Sequence, residues 1–178
     1  MNHLIQSLTY FRIFTAPLIF MLITLLDFYG LALFLFILAS FSDYLDGFLA
    51  RKYHLESMFG VVLDPIADKI LVTFVILALA IELASVFIGF IGGVILIREF
   101  WVAALRDLNA RGGNDEATKV TGFAKIKTTL QFLTFTCFLL GLYLNNALII
   151  FISNFLLFLA LIVTLQTGLS YTIATFKK

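Results

Sequence analysis

The sequence predicts an all-α membrane protein of six transmembrane helices with both termini in the cytoplasm. Three observations predict it: the composition, the division of the chain into bilayer-length apolar segments, and the one-sided placement of the basic residues. Of 178 residues, 62% are hydrophobic and 13% charged, with a mean hydropathy of +1.07. A soluble domain carries about 25% charged residues. So few charges cannot cover a water-soluble globule of this size.

A helix needs about 20 apolar residues to cross the hydrocarbon. Six segments meet that length: Leu4 to Leu26, Leu31 to Arg51, Val61 to Ile81, Val86 to Leu108, Phe123 to Leu144 and Ala147 to Thr175. The breaks between them, at Asp27 to Gly30, Lys52 to Gly60, Glu82 to Ser85, Asn109 to Gly122 and Asn145-Asn146, are rich in charge or turn formers. Little chain is left for a soluble domain, so residues 1–178 read as one transmembrane domain. The N-terminal apolar stretch reads as the first span, since its basic flank is weak and it runs too long for a cleavable leader.

All twelve Lys and Arg fall on the side shared by the termini and the second and fourth loops, or on the helix halves nearest it. The opposite side has Asp27, Glu82 and two Asn. This asymmetry places the basic side in the cytoplasm. A net charge of +1 without a basic run gives no support for a nucleic-acid surface. The single Cys137, inside an apolar run, provides neither a disulfide framework nor a thiolate metal site. The 21 Phe residues read mostly as lipid-facing or packing side chains. His3 and His54 read as surface residues, and Lys52, Lys177 and Lys178 as membrane-surface anchors.

The informative residues are the acids. Asp43, Asp46, Asp64 and Asp68 lie within or at the cytoplasmic ends of the second and third helices, where an ionised Asp costs on the order of 2.5–3.5 kcal/mol. Asp43, Asp46, Gly47 and Ala50 follow i, i+3, i+4, i+7 on one stripe, and Gly60, Asp64 and Asp68 follow i, i+4, i+8 on another. A short loop makes these helices antiparallel neighbours, and facing the stripes together gathers four oxygen-rich groups. Two divalent cations, Mg²⁺ or Mn²⁺, would balance four negative charges. Gly47, Ala50 and Gly60 leave room for a bulky ligand, and Arg51 supplies a planar cation for phosphate oxygens. The set reads as a diphosphate site, although any one Asp near a helix end can simply sit in headgroup water or cap a helix.

The run Asp43 to Asp68 matches D-x2-D-G-x2-A-R-x8-G-x3-D-x3-D at all eight fixed positions. In this it resembles the CDP-alcohol phosphatidyltransferases, and the six-helix layout extends the resemblance over nearly the whole chain. The resemblance implies metal-dependent transfer of a phosphatidyl group from a CDP-linked lipid, CDP-diacylglycerol, to an alcohol, with release of CMP. It implies that Asp43, Asp46, Asp64 and Asp68 hold two divalent ions, that Asp68 is also the general base, and that Gly47, Arg51 and Ser57 bind the CDP part. It also implies a homodimer.

IREFWVAALRDLNARGG, the GFAKIKTTLQ run, DPIADKILV and LTYFR are similar to the branch of that family whose acceptor is sn-glycerol 3-phosphate. Charge supports that acceptor independently: Arg98 lies deep in the fourth helix, Arg106 two turns further on, and Lys125 and Lys127 open the fifth helix. These cations suit an acceptor that brings its own phosphate. The competing readings are an Arg98–Glu99 pair and headgroup snorkelling by Lys125 and Lys127. Thr9 and Arg12, i and i+3 on the first helix, could reach the donor nucleotide or close off the cavity, with headgroup contact an equal reading for Arg12.

Phosphatidylglycerol, inositol phosphate and serine remain alternative acceptors. A divalent-cation transporter using the Asp cluster is the rival of another class, weakened because the outer helix halves offer hardly any polar path. An inactive scaffold with the same fold is a third reading.

Overall fold

A computed structural model describes the backbone of residues 2–53, 58–112 and 122–177 and the side chains of residues 7–42, 63–112 and 126–177. Six helices are present among the described residues: α1 (Asn2–Thr24), α2 (Tyr29–Tyr53), α3 (Met58–Glu82), α4 (Val86–Arg111), α5 (Gly122–Tyr143) and α6 (Ala147–Phe176). Each corresponds to one apolar segment of the sequence. The ends differ by a few residues: α1 stops two residues early, and α4 runs on to Arg111, where Gly112 caps it through a backbone bond to Leu108.

The tight turns follow from local chemistry. Ser85 and Asn146 cap the starts of α4 and α6, their side-chain oxygens accepting from Ile88 N and from Leu148 and Ile149 N. α3 and α5 end in paired bonds, Ser85 N to Ala80 O with Ala84 N to Ile81 O, and Asn146 N to Gly141 O with Asn145 N to Leu142 O. Ala84 and Asn145 take the left-handed conformation that this ending requires, at φ 43° and 48°.

Among the described residues each helix packs mainly on two neighbours, closing a ring in the order α1, α2, α5, α6, α4, α3 and back to α1. The three tight turns lie at one end of it. Tyr29 OH, opening α2, sits 2.5 Å from Glu82 Oε1 at the end of α3 and 3.1 Å from Asp27 Oδ1 in the first turn. Gly30 faces the ring of Tyr143 at the end of α5, closely enough that a β-carbon there would come within 2.8 Å of it. The described side chains at that end include acids and amides and no Lys or Arg.

The core joins all six helices through residues such as Ile19, Ala39, Val75, Ile95, Phe138 and Leu157. Phe36 of α2 stacks on Phe132 and meets Phe135 edge-on, fastening α2 to α5. Gly92 lets α4 approach α3: a β-carbon there would lie 2.1 Å from Ile76 Cγ2. Phe14, Phe90, Phe151 and Leu169 point outward and are exposed, as lipid-facing side chains must be. The described Phe residues thus divide between lipid face and core.

Four helices are long and apolar enough to cross a bilayer, over residues 7–24, 86–111, 126–143 and 147–176, and α2 contributes a shorter apolar run over Tyr29–Ser42. α3 is long enough, yet any bilayer-length stretch of its described residues carries at least three charged side chains. The chain is a multi-pass membrane protein whose third helix is marked by the acids that make it chemically interesting.

Candidate functional site

Two polar clusters occupy the half of the ring away from the tight turns. The first joins α1 to α3. Asp64 and Asp68 are one turn apart on α3 and both turn toward α1, where Arg12 is fully buried. Arg12 Nη1 donates to Asp68 Oδ1, Arg12 Nη2 lies 3.3 Å from Asp64 Oδ1, and Thr9 Oγ1 donates to that same oxygen at 2.6 Å. The paired residues rise in number together, 9 and 12 with 64 and 68, so α1 and α3 run parallel. The carboxylates keep 34% and 46% of their side-chain surface open beside the buried guanidinium, so they remain reachable by a ligand. Burial overturns the headgroup reading of Arg12: it is the counter-ion of the two aspartates.

Asp64 and Asp68 both turn an oxygen to Arg12, and the carboxylate surface that Arg12 leaves open is hard-oxygen surface of the kind that could contribute to a divalent-ion site. Among the described residues no three acid, His or Cys side chains come together. The other two acids of the expected set, Asp43 and Asp46, lie outside the described side chains, as do Gly47, Ala50, Arg51, Gly60 and Lys125, and Ser57 lies outside the described backbone. The expected meeting of α2 and α3 along their stripes falls on those residues. In the described part, α1 packs against both helices.

The second cluster joins α4, α5 and α6. Arg98, 8% exposed, reaches Glu99 Oε1 at 3.1 Å and Thr167 Oγ1 at 2.7 Å. Lys127 on α5, equally buried, donates to the same Glu99 oxygen. Among the described residues, therefore, two cations share one carboxylate, and the group carries an excess of positive charge in a low-dielectric place. Gly168 makes room for it: a β-carbon there would lie 3.0 Å from Arg98 Cγ and 3.2 Å from its Nε. The Arg98–Glu99 pair read from the sequence is present, but as part of a three-charge group; headgroup snorkelling by Lys127 is overturned by its burial.

Arg106 continues the cationic face toward the end of α4. Its Nη2 donates to Tyr171 OH at 2.8 Å, and the guanidinium lies 5.0 Å from the centre of that ring. Trp101 to Thr172 and Asn109 to Thr175 complete a polar seam between α4 and α6, which run parallel by the same rising order of partners. Tethers of this kind hold membrane helices together where lipid offers no hydrophobic driving force.

Sequence reasoning did not single out Glu99 as the shared counter-ion, nor Thr167, Gly168 and Tyr171 as the groups that place the two arginines. It also passed over Gln131 and Thr164, which are buried on α5 and α6, one turn from Lys127 and Thr167. The available signal was spacing: Gln131 stands four residues from Lys127, and Thr164, Thr167 and Tyr171 follow i, i+3, i+7 on an otherwise apolar helix.

Comparison with known proteins identifies the setting of these clusters. Residues 2–166 match the family model for CDP-alcohol phosphatidyltransferases. The chain is 39% identical to the CDP-diacylglycerol--glycerol-3-phosphate 3-phosphatidyltransferase of Rickettsia bellii, over 77% of this chain and 74% of that one. It is 35% identical to the protein of the same name from Rickettsia typhi over 96% of both chains, and 31% identical to that from Shigella flexneri over 92% and 90%. With the family model spanning nearly its whole length, the chain belongs to the CDP-alcohol phosphatidyltransferase family and is a membrane transferase of phospholipid biosynthesis.

Proposed function

We propose that this enzyme transfers the phosphatidyl group of CDP-diacylglycerol to sn-glycerol 3-phosphate, giving phosphatidylglycerophosphate and CMP. The observation that carries the reading is the pairing of two clusters of opposite character in one half of the helix ring: carboxylates on α3, and Arg98, Arg106 and Lys127 on α4 and α5. The first suits a metal-bound diphosphate, the second an acceptor that carries a phosphate. The names of the relatives from Rickettsia and Shigella support the same substrates.

In this proposal Asp43, Asp46, Asp64 and Asp68 hold two divalent cations, Mg²⁺ or Mn²⁺, which when bound neutralise the diphosphate and ease the departure of CMP. The residues of the chain do the rest. Thr9, Gly47, Ala50, Arg51, Ser57 and Gly60, together with Asp43 and Asp46, line the CDP part of the donor. Arg98, Arg106, Lys125 and Lys127 hold the acceptor's phosphate, which fixes its free hydroxyl toward α3. Asp68 accepts the proton of that hydroxyl as the oxygen bonds to the lipid-side phosphorus, and the bond from that phosphorus to the CMP oxygen breaks. Arg12 keeps the Asp68 carboxylate aimed by holding one of its oxygens.

Six spans cross the bilayer as a single domain, with both termini and the site on the cytoplasmic side, in a homodimer. That placement lets the acyl chains stay in lipid while the nucleotide sits in water. The test is CMP release by purified enzyme with CDP-diacylglycerol and each acceptor in turn. Glycerol 3-phosphate stimulates release, and phosphatidylglycerol, inositol phosphate and serine do not. Absence of stimulation by glycerol 3-phosphate overturns the reading, and metal flux into vesicles without CMP formation would instead favour a transporter.

A further inference from the structure

On the three helices that carry the cation cluster, three buried polar atoms have no bonding partner among the described residues: Gln131 Nε2, Thr164 Oγ1 and Arg98 Nε. Gln131 is 7% exposed and Thr164 fully buried. Buried donors are nearly always satisfied, because shutting one away from water without a partner is costly. Thr164 also departs from the habit of this bundle: Thr134, Thr136, Thr167, Thr172 and Thr175 all donate to a carbonyl of their own helix, and Thr164 does not.

Helical spacing sets Gln131 and Thr164 one turn from members of the cluster. Gln131 is one turn beyond Lys127 on α5, Thr164 is one turn beyond Thr167 on α6, and Thr167 is the residue to which Arg98 donates. α5 and α6 pack directly on each other. These helices thus offer an amide, a hydroxyl and the Nε–H of Arg98 itself near a group in which, among the described residues, Glu99 alone pairs with both Arg98 and Lys127. Donors in that setting match the oxygens of an anion. Neutral donors here add hydrogen bonds without adding buried charge that Glu99 would have to balance.

We propose that Gln131 is a specificity-determining residue for the acceptor, its amide donating to an oxygen of the acceptor's phosphate, with Thr164 on the neighbouring helix serving the same group. The assignment rests on the acceptor reading above. It gives a physical basis for rejecting acceptors without a phosphate, since a buried donor left unmatched penalises the wrong ligand.

The experiment measures KM for glycerol 3-phosphate and for CDP-diacylglycerol in the wild type, Gln131→Glu and Gln131→Met, together with the thermal shift that glycerol 3-phosphate alone gives each protein. Both substitutions raise the acceptor KM about tenfold or more, equivalent to about 1.4 kcal/mol, leave the donor KM nearly unchanged, and abolish the thermal shift. Should Gln131→Glu fail to insert, Gln131→Met, uncharged and of similar length, carries the test. An unchanged acceptor KM, or equal rises in both KM values with lowered thermal stability, overturns the assignment. A wild type that glycerol 3-phosphate does not stimulate overturns the acceptor reading itself and this inference with it, whereas a stimulated wild type beside unaffected variants overturns the role of Gln131 alone.

Discussion

Arg12 on α1 is fully buried and donates through Nη1 to Asp68 on α3, while its Nη2 lies 3.3 Å from Asp64. One guanidinium therefore bridges two carboxylates one helical turn apart and offsets the repulsion between their like charges. Arg12→Met should lower stability by on the order of 2 kcal/mol, less than the loss of a fully buried partner because both acids are part-exposed. Arg12→Lys should recover only part of that, since an ammonium cannot reach both carboxylates in the same fork geometry. The check is thermal unfolding in detergent with chelator and with Mg²⁺. Added metal should narrow the gap between Arg12→Met and wild type, and an equal gap in both conditions would count against a metal at these aspartates.

Asp68→Asn separates chemistry from folding. The amide keeps the shape of the side chain and can still accept from Arg12, so the protein should insert and unfold near the wild-type temperature. It cannot take a proton from the attacking hydroxyl, and CMP release should fall by about 10² to 10⁴. A variant retaining a tenth or more of wild-type turnover would remove Asp68 from the role of base.

Much of this was legible in the sequence because a bilayer simplifies the physics. Segment length and charge breaks set the helices to within a few residues, since a buried backbone in lipid has few options other than a helix. Asp64 and Asp68 were visible for the same reason, as a charge at depth needs a cause. Side-chain partnership was less legible. Arg12 could be placed on a face but not assigned to Asp68, which is 56 residues away, because periodicity does not reveal that α1 packs beside α3. Glu99 stands next to Arg98 in sequence, yet its second partner Lys127 comes from α5, and only the ring order brings that helix near.

Glu99 carries the charge balance of the second cluster. Glu99→Gln leaves Arg98 and Lys127 buried without their shared counter-ion, a loss of about 3–5 kcal/mol for a pair this enclosed. The expected result is a large drop in unfolding temperature that millimolar glycerol 3-phosphate partly restores, because a bound anion replaces the missing charge. If the ligand stabilises the variant no more than the wild type, these cations do not face the acceptor's phosphate.

The contact between Gly92 and Ile76 sets how closely the helix bearing Asp68 lies to the helix bearing Arg98. A β-carbon at Gly92 would fall 2.1 Å from Ile76 Cγ2, a distance that side-chain adjustment cannot absorb in a core where Ile76 is 2% exposed. Gly92→Ala should therefore push α4 away from α3 and cost about 3 kcal/mol, in the upper range for overpacking. Ile76→Ala alone should cost about 2–5 kcal/mol through the cavity it opens. Together the two changes should cost at least about 1 kcal/mol less than their sum, because the new methyl group occupies the space that the isoleucine vacates. Unfolding of the two single variants and the double variant measures this coupling. Since Gly92→Ala also separates the two clusters, its kcat/KM should fall further than that of Ile76→Ala at matched folded fraction, and the double variant should recover activity along with stability.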